Sequence, residues 1–294
     1  MSKVMANKKY ILLFVLPAFL IYLCFSLIPI IYNFIVSLYS TNLMSPGVFV
    51  GLKNYINLFT QDDIFWQALG NNILMVIGSL IAHMPLALLF ANILFNKIKG
   101  TRFFQTVFFL PNVICGVAVG LMWSFMYNSQ FGLVNEFLSL IGLGRFAQDW
   151  LANPKTAIFA IIVVVMWQYV GYHMIIQLAA MKNIPSSLYE AAEIDGASKW
   201  KQFTSITLPL IKNVLRIDAV LIITGSLKYY DLVAVMTGGG PNHATELMST
   251  YMFYQGFRTL KYGYAAAIGV ILLALCVLSL VISNIAFKSE EVQY

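Results

Sequence analysis

Six long apolar runs constrain this chain more than any other feature of its sequence. Each is long enough to cross a bilayer, which takes about 20 mostly apolar residues in a helix. In lipid the backbone polar groups must be satisfied within the segment, and a single run of this kind satisfies them as an α-helix. The sequence therefore predicts an all-α polytopic membrane protein. Its six predicted transmembrane helices cover residues 11–38, 68–95, 103–127, 157–181, 214–236 and 265–287.

Charge is scarce in this chain, since 10% of its 294 residues are charged and 60% are apolar. Soluble globular chains carry about 25% charged residues. We therefore expect one transmembrane domain over residues 1–294, made of an N-terminal helix at 11–38 and a core at 68–287. No G-x-x-x-x-G-K-[ST] run is present, so the chain is not expected to bind nucleotide itself. Any energy source is expected in another chain.

The lysines and arginines divide unequally between the loops of a six-helix arrangement. Eleven fall in the two termini and the second and fourth loops, and five fall in the other loops. Cytoplasmic loops carry the excess of positive charge in membrane proteins, so both termini are predicted to be cytoplasmic. The same positions favour contact with the lipid bilayer surface rather than with nucleic acid. We therefore expect a multi-pass membrane protein.

A polar segment at residues 185–209 separates the fourth and fifth apolar runs and is predicted to face the cytoplasm. Ser187 and Glu190 have the spacing of a capping box, which predicts a short helix over residues 188–195. Gly196 can adopt the left-handed conformation that ends such a helix. This part of the segment therefore predicts a helix and a turn.

A second helix is predicted to follow from Ser198 to Ile206, with Trp200 and Phe203 on the same face as Ile206. Pro209 cannot continue that helix without losing a hydrogen bond, but it can start the next segment. A thin amphipathic helix between two spans has a suitable shape for a groove on a partner protein.

The residues of this segment resemble the EAA loop of the permeases of ATP-binding-cassette (ABC) importers. Further runs at 50–59, 108–123, 132–138 and 237–241 resemble the carbohydrate-uptake branch of that family, and TGGGP at 237–241 resembles the first member of its permease pairs, the one similar to the larger permease of the maltose transporter. The matching residues of the loop are Glu190, Ala191, Ala192, Asp195, Gly196, Ile206, Leu208 and Pro209.

The resemblance implies a type I importer fold and a defined set of partners. These are a second, homologous permease forming a heterodimer, two cytoplasmic ATPase subunits and an extracellular or periplasmic sugar-binding protein. It also implies that the EAA loop is a coupling helix bound in a cleft of the ATPase, where Glu190 meets a basic residue. Capping of its own helix is the alternative role of Glu190, and the two roles are compatible.

A sugar path needs hydrogen-bonding side chains beside aromatic rings. Spacings of three and four residues occur among such side chains in the fourth and fifth spans. The resemblance implies sugar contacts at the same places in the family. The candidate substrate-path residues are Gln168, Tyr169, Tyr172, Ser226 and Tyr229.

Lys228 and Asp231 lie three residues apart in the fifth run and are predicted to pair, because lone charges are costly in a bilayer. The pair could line the path or only hold the helices together. It also supports an alternative function, a self-contained secondary transporter or channel. His83, His173 and His243 lie on separate segments without metal-ligand spacing, so no metal, cofactor or enzymatic activity is expected.

Overall fold

The computed structural model describes residues 8–42, 45–96 and 98–286. They form two units, which are described one at a time. The first unit runs to Asp62 and includes Met252–Ile271. Its N-terminal part contains helix α1 (Lys8–Tyr22), a π-helical turn (Leu23–Leu27), helix α2 (Ile28–Val36), strands β1 (Tyr39–Asn42) and β2 (Ser45–Phe49), and helix α3 (Lys53–Gln61).

The predicted first span is present as α1 and α2, with the π-helical turn just before Pro29. Proline has no N–H and its ring clashes with the carbonyl four residues earlier in an α-helix. A wider turn relieves this crowding, and the amide of Ile28 bonds to the carbonyl of Leu23 across it. The helix therefore continues through the proline.

A small hairpin after α2 departs from the all-helical expectation. β1 and β2 pair antiparallel, with Tyr39 opposite Phe49. The side-chain amide (Nδ2) of Asn54 in α3 donates to the backbone carbonyls of Ser37 and Tyr39 at 2.8 and 3.0 Å. The N-terminal turn of α3 thereby satisfies backbone acceptors at the end of the first span. At Gly263 a Cβ would lie 1.8 Å from the Tyr39 carbonyl oxygen, so only glycine allows this approach.

The second unit comprises Asp63–Tyr251 and the segment from Leu272, so the π-helical turn at Tyr254–Arg258 and the beginning of the last helix belong to the first unit. In order, the elements after α3 are α4 (Asp63–Phe95), α5 (Thr101–Val113), α6 (Gly116–Met126), α7 (Leu133–Leu140), a 3-10 turn (Gly144–Phe146), α8 (Ala157–Lys182), α9 (Ser186–Ile194), α10 (Lys199–Gln202), a π-helical turn (Phe203–Thr207), α11 (Leu208–Leu210), α12 (Lys212–Leu227), α13 (Asp231–Met236), α14 (Met248–Phe253), a π-helical turn (Tyr254–Arg258) and α15 (Tyr262–Ala286).

Helix α8 is the central element of the second unit. It packs against α4, α5, α12 and α13, and 61% of its most apolar window is buried, the largest share among the candidate spans that the structure describes. Its approach to α5 is close at Gly171, where a Cβ would lie 1.8 Å from the carbonyl oxygen of Phe108. Glycine at this position therefore sets the distance between the two backbones.

The third predicted span is not one straight helix. It consists of α5 and α6, which meet at an angle of 97° around Ile114 and Cys115. Pro111 lies in the last turn of α5, where the missing amide weakens the helix. Among the described residues, five helices are long and apolar enough to cross a membrane, or six if this bent pair is one span.

The fifth span, predicted as one helix over residues 214–236, is interrupted in the structure. α12 ends at Leu227 and α13 begins at Asp231, with non-helical residues between them. Asn72 of α4 donates to the carbonyls of Ser226 and Leu227 at 3.4 and 3.0 Å. The same side chain accepts from the amide of Met248 at 2.8 Å. This buried amide thus satisfies the carbonyl end of α12 where the helix stops.

Candidate coupling segment and substrate path

The coupling segment, residues 185–209, begins with helix α9, but the predicted capping box does not form. The helix starts at Ser186, one residue before Ser187, and Pro185 occupies the N-cap position without a side-chain hydrogen bond. The fixed φ of proline is already suitable for a helix start, so the chain turns helical earlier than the box requires. Capping as the alternative role of Glu190 is therefore wrong.

Gly196 ends α9 as predicted, with φ of +75°. The amide of Ala197 reaches back to the carbonyl of Ala192 at 2.8 Å, which satisfies the last turn. Ser198 then caps α10, since its hydroxyl accepts from the amide of Lys201 at 3.3 Å. A helix, a turn and a second helix are therefore present.

The second helix is shorter and less regular than predicted. α10 passes into a π-helical turn at Phe203–Thr207, and Pro209 lies in the first turn of α11. The wide turn before Pro209 accommodates the proline in the same way as in the first span. Phe203 and Ile206 pack against a hydrophobic cluster of the second unit, whereas Trp200 is 72% exposed. The predicted three-residue apolar face is therefore only partly buried.

Helix α9 has one face anchored to the protein and one face open. The Tyr189 hydroxyl lies 2.9 Å from that of Thr207, and its ring contacts Phe95 at 5.5 Å. Burial raises the pKa of Tyr189 above that of a free tyrosine, which is already neutral at pH 7. Glu190 and Ala191 are exposed next to it. The acidic side chain is therefore available to a partner, while its neighbour fixes the helix.

An exposed ion pair joins α9 to α10. Lys199 donates from its ammonium to the carboxylate of Glu193. This hydrogen bond and the positive charge of Lys199 lower the pKa of Glu193. Both side chains lie in water, so the pair contributes little to stability. It links the two helices across the Gly196 turn.

Three of the five candidate substrate-path residues are brought together. The hydroxyl of Tyr229 donates to Gln168 Oε1 at 3.2 Å, and Gln168 Nε2 donates to the carbonyl of Ile114 at 3.3 Å. The ring of Tyr169 packs edge-on against that of Tyr229 at 6.2 Å. The Gln168 bond to Ile114 falls at the break between α5 and α6. The Gln168 side-chain amide and two tyrosine rings therefore meet at the break in the third span.

The other two candidate residues have different surroundings. Ser226 is buried at the end of α12, next to the Asn72 contacts. Tyr172 is half-buried, and its ring packs edge-on against His173 at 5.1 Å. Asn72 was not predicted from sequence. An asparagine in an apolar run is the signal that could have identified it, since such a side chain needs hydrogen-bond partners.

The prediction that Lys228 and Asp231 pair is wrong. Both side chains are exposed, and the ion pairs of the described residues do not include them. The i, i+3 spacing brings side chains together only on a continuous helix, and the helix is interrupted at Lys228. Asp231 instead lies at the start of α13 against Gly116, where a Cβ would be 3.0 Å from the aspartate Cβ.

A buried polar cluster, formed by His83, His173, Gln177 and Asp218, was missed by the sequence reasoning. The Asp218 carboxylate is 0% exposed and lies 2.7 Å from His173 Nδ1 and 2.7 Å from Gln177 Nε2. The ring of His83 stacks on that of His173 at 5.3 Å. These contacts tie α8 to α12 and α4. Asp218 stands in the fifth apolar run, and an acidic residue in such a run is the signal that could have identified the cluster.

The TGGGP loop that follows α13 depends on its glycines. Gly238 and Gly239 have φ of +60° and +88°. A Cβ at Gly239 would lie 2.1 Å from Glu246 Oε2, so the loop closes around this carboxylate. Thr245 donates to the carbonyl of Gly240 at 2.7 Å. In the part of the chain that the structure describes, no group of three His, Cys, Asp or Glu residues could hold a metal ion.

Comparison with known proteins identifies the family. Residues 70–288 match the model of the binding-protein-dependent transport system inner membrane component. The chain is 40% identical over 270 residues to the probable ABC transporter permease protein YurN of Bacillus subtilis, covering 91% of this chain and 92% of that protein. It is 36% identical over 272 residues to the lactose transport system permease protein LacF of Rhizobium radiobacter, covering 91% and 90%.

A solved structure is similar over almost the whole chain. It is that of a bacterial ABC transporter involved in the import of the acidic polysaccharide alginate, with a TM-score of 0.83, 25% identity and 98% of each chain covered. This chain therefore belongs to the family of binding-protein-dependent transport system inner membrane components, the permease subunits of ABC importers. It is a membrane transport component and not an enzyme.

Proposed function

We propose that this chain is the permease subunit through which a sugar or oligosaccharide, delivered by an extracellular binding protein, crosses the membrane. Two relatives named for lactose transport and alginate import support a carbohydrate substrate. The contacts of Gln168, Tyr169 and Tyr229 support it too, because sugars present both hydroxyl arrays and apolar ring faces. The sugar path then follows the break between α5 and α6, with Tyr172 and Ser226 further along it.

Energy enters through the coupling segment. The observation that carries this proposal is the geometry of α9, whose inner face is fixed by Tyr189 while Glu190 is exposed. An ATPase groove receives the outer face, where Glu190 meets a basic residue. The remaining positions of the coupling segment are Ala191, Ala192, Asp195, Gly196, Ile206, Leu208 and Pro209, of which Ile206 packs inward against the second unit.

The working assembly is a heterodimer of this chain with a second, homologous permease, two ATPase subunits in the cytoplasm and the binding protein outside. The excess of lysine and arginine in the termini and in the second and fourth loops supports cytoplasmic termini and a cytoplasmic coupling segment. Residues 1–294 act as a single transmembrane domain in this arrangement. The membrane is a bacterial-type cell membrane.

The alternative of a self-contained secondary transporter or channel has lost its main support. That reading required Lys228 and Asp231 to act as an intramembrane pair, and they do not form one. An exposed helix suited to a partner's groove has no role in a carrier that works alone.

The test is ATP-driven uptake of a labelled sugar panel by vesicles that contain the complex purified through this chain, with its ATPase and binding protein. Uptake should require ATP and the binding protein. Glu190→Ala should abolish uptake while the complex remains in the membrane. Glu193→Ala is the matched control, since Glu193 is also exposed on α9 but is paired with Lys199. Normal uptake by Glu190→Ala would contradict the proposed coupling role of Glu190.

A further inference from the structure

A cavity of about 1040 Å³ lies behind the coupling segment. Its walls are the end of α4, the beginning of α5, the end of α8, and the inner side of α9 and α10. Tyr189, the residue that anchors α9, lines it, whereas Glu190 does not. The cavity is therefore on the opposite side of α9 from the surface proposed for the ATPase.

The lining of the cavity is cationic. Arg102, Lys182 and Lys199 line it, and no carboxylate is among the described lining residues. Lys199 is paired with Glu193. Arg102 and Lys182 take part in none of the ion pairs found among the described residues. Two cations therefore border a cavity that contains no counter-charge from the described protein.

The beginning of α5 adds to this positive character. Gly100 adopts φ of +83° and Thr101 is the first helical residue, so the cavity borders the amino end of a 13-residue helix. The unpaired amides and the dipole at such an end favour an anion. Gln105, one turn further along α5, supplies another amide to the lining.

Part of the remaining wall is aromatic. Phe95, Tyr189, Trp200 and Phe203 line it, and the Trp200 ring lies 5.8 Å from that of Phe203. Aromatic rings do not favour the binding of free inorganic phosphate, which has no apolar surface. At about 1040 Å³ the cavity also reaches the upper end of the range for drug-sized ligands, about 300–1,000 Å³. Its chemistry suits a molecule with an anionic head and an apolar body.

We propose that this cavity binds an anionic phospholipid, with Arg102 and Lys182 on the headgroup phosphate and the aromatic rings of the coupling segment beside the headgroup. The acyl chains run from there past the apolar lining residues Leu94, Ile98 and Ile184 toward the bilayer. The cavity lies at the ends of three membrane-spanning helices, which is the depth of lipid headgroups. Basic pockets between helices at the cytoplasmic side of a membrane bind such headgroups. A bound lipid would contact both the α4–α5 turn and the coupling segment, so it would support the position of α9. The cytoplasmic placement of the cavity and this last link rest on the proposed function, whereas the cationic and aromatic lining does not.

The experiment is native mass spectrometry of the detergent-purified full chain, titrated with phosphatidylglycerol or with phosphatidylcholine of the same acyl chains. We expect preferential retention of phosphatidylglycerol. The variant Arg102→Gln/Lys182→Gln should bind phosphatidylglycerol about 30-fold more weakly. Each basic residue near an anionic lipid headgroup contributes a factor of about five, and the variant removes two of them. Lys201→Gln/Lys212→Gln is the matched control, since it removes the same charge from exposed residues outside the cavity lining and should bind normally.

Equal retention of both lipids, or unchanged retention in Arg102→Gln/Lys182→Gln, would overturn the proposal. Displacement of the lipid by millimolar inorganic phosphate would also overturn it, because the site would then recognise a free anion. If the double variant does not fold, Lys182→Gln alone should show a loss of about fivefold. Lipid retention is read without ATP, the ATPase or the binding protein. A failure here is therefore distinct from a failure of the proposed uptake function.

Discussion

The substitution Asp218→Ala tests the buried polar cluster most directly. It removes a carboxylate that is 0% exposed and that contacts both His173 and Gln177 at 2.7 Å. The two side chains on α8 then lose their partner in an apolar interior. Since Asp218 is on α12, the substitution also removes the polar link between the two helices that flank the coupling segment.

The expected cost follows from these two contacts. A hydrogen bond to a charged group is worth about 1.5–3 kcal/mol, and breaking a buried pair by removing one partner costs about 3–5 kcal/mol. We therefore expect Asp218→Ala to lower the free energy of unfolding by about 3–5 kcal/mol. An unfolding entropy of about 2.1 cal/mol/K per residue over 294 residues corresponds to roughly 1.6 °C per kcal/mol, so the melting temperature falls by about 5–8 °C.

The assay is thermal unfolding of the detergent-purified chain, followed by tryptophan fluorescence and by the monodisperse fraction after heating. A double-mutant cycle with His173→Ala isolates the pair. The double variant should be more stable than the sum of the single losses predicts, by about 0.5–3 kcal/mol, because neither partner is left alone. Asp231→Ala is the control for loss of an exposed aspartate. A loss no larger than that of Asp231→Ala, or strict additivity in the cycle, would refute the reasoning.

Three further predictions concern other parts of the second unit. Gly171→Ala should destabilise the chain by about 1–3 kcal/mol, since its Cβ would lie 1.8 Å from the Phe108 carbonyl oxygen. Gly225→Ala, where nothing lies within 4 Å of the new Cβ, should be neutral or stabilising in the same melting assay. Equal effects of the two substitutions would contradict this prediction. Because the pKa of Glu193 is lowered, its pair with Lys199 contributes its small stabilisation above the unfolded pKa of about 4.3 and loses it as the pH falls through the folded pKa. Lys199→Gln should remove this part of the acid dependence of the melting temperature. An unchanged dependence on pH would contradict a contribution from the pair. Gln168→Ala should change the order of preference among sugars in the uptake panel, and an identical order would remove Gln168 from the substrate path.

Much of the fold could be predicted because its cause is local in the sequence. Runs of about 20 apolar residues define spans wherever they stand, and Gly196 ends α9 because glycine adopts positive φ without a steric cost. The start of α9 could not be fixed in the same way, since Pro185 and the Ser187 capping box are competing start signals one or two residues apart. The break at Ile114 follows Pro111, which permits a kink without setting its angle, and no proline marks the break at Lys228.

The candidate site was predictable in its residue types but not in its contacts. Gln168 and Tyr229 were identified as polar and aromatic groups in apolar runs, and only the packing of α8 against α12 and α13 shows that they bond to each other. Lys228 and Asp231 were paired by assuming an unbroken helix. Asn72, which satisfies the end of α12, is 154 residues from Ser226 in the chain, a separation that no local pattern encodes.

Local signals in the sequence establish a series of apolar helices and, between the fourth and fifth runs, one polar segment with a helix, a glycine turn and a second helix. Those properties follow from backbone satisfaction in lipid and from the conformational preferences of single residues. Packing in three dimensions sets which residues meet the buried Asp218 carboxylate, where the long runs break and which face of α9 remains open. These outcomes depend on side chains that approach from distant helices, because hydrogen bonds and close packing act over a few ångströms in space regardless of separation along the chain.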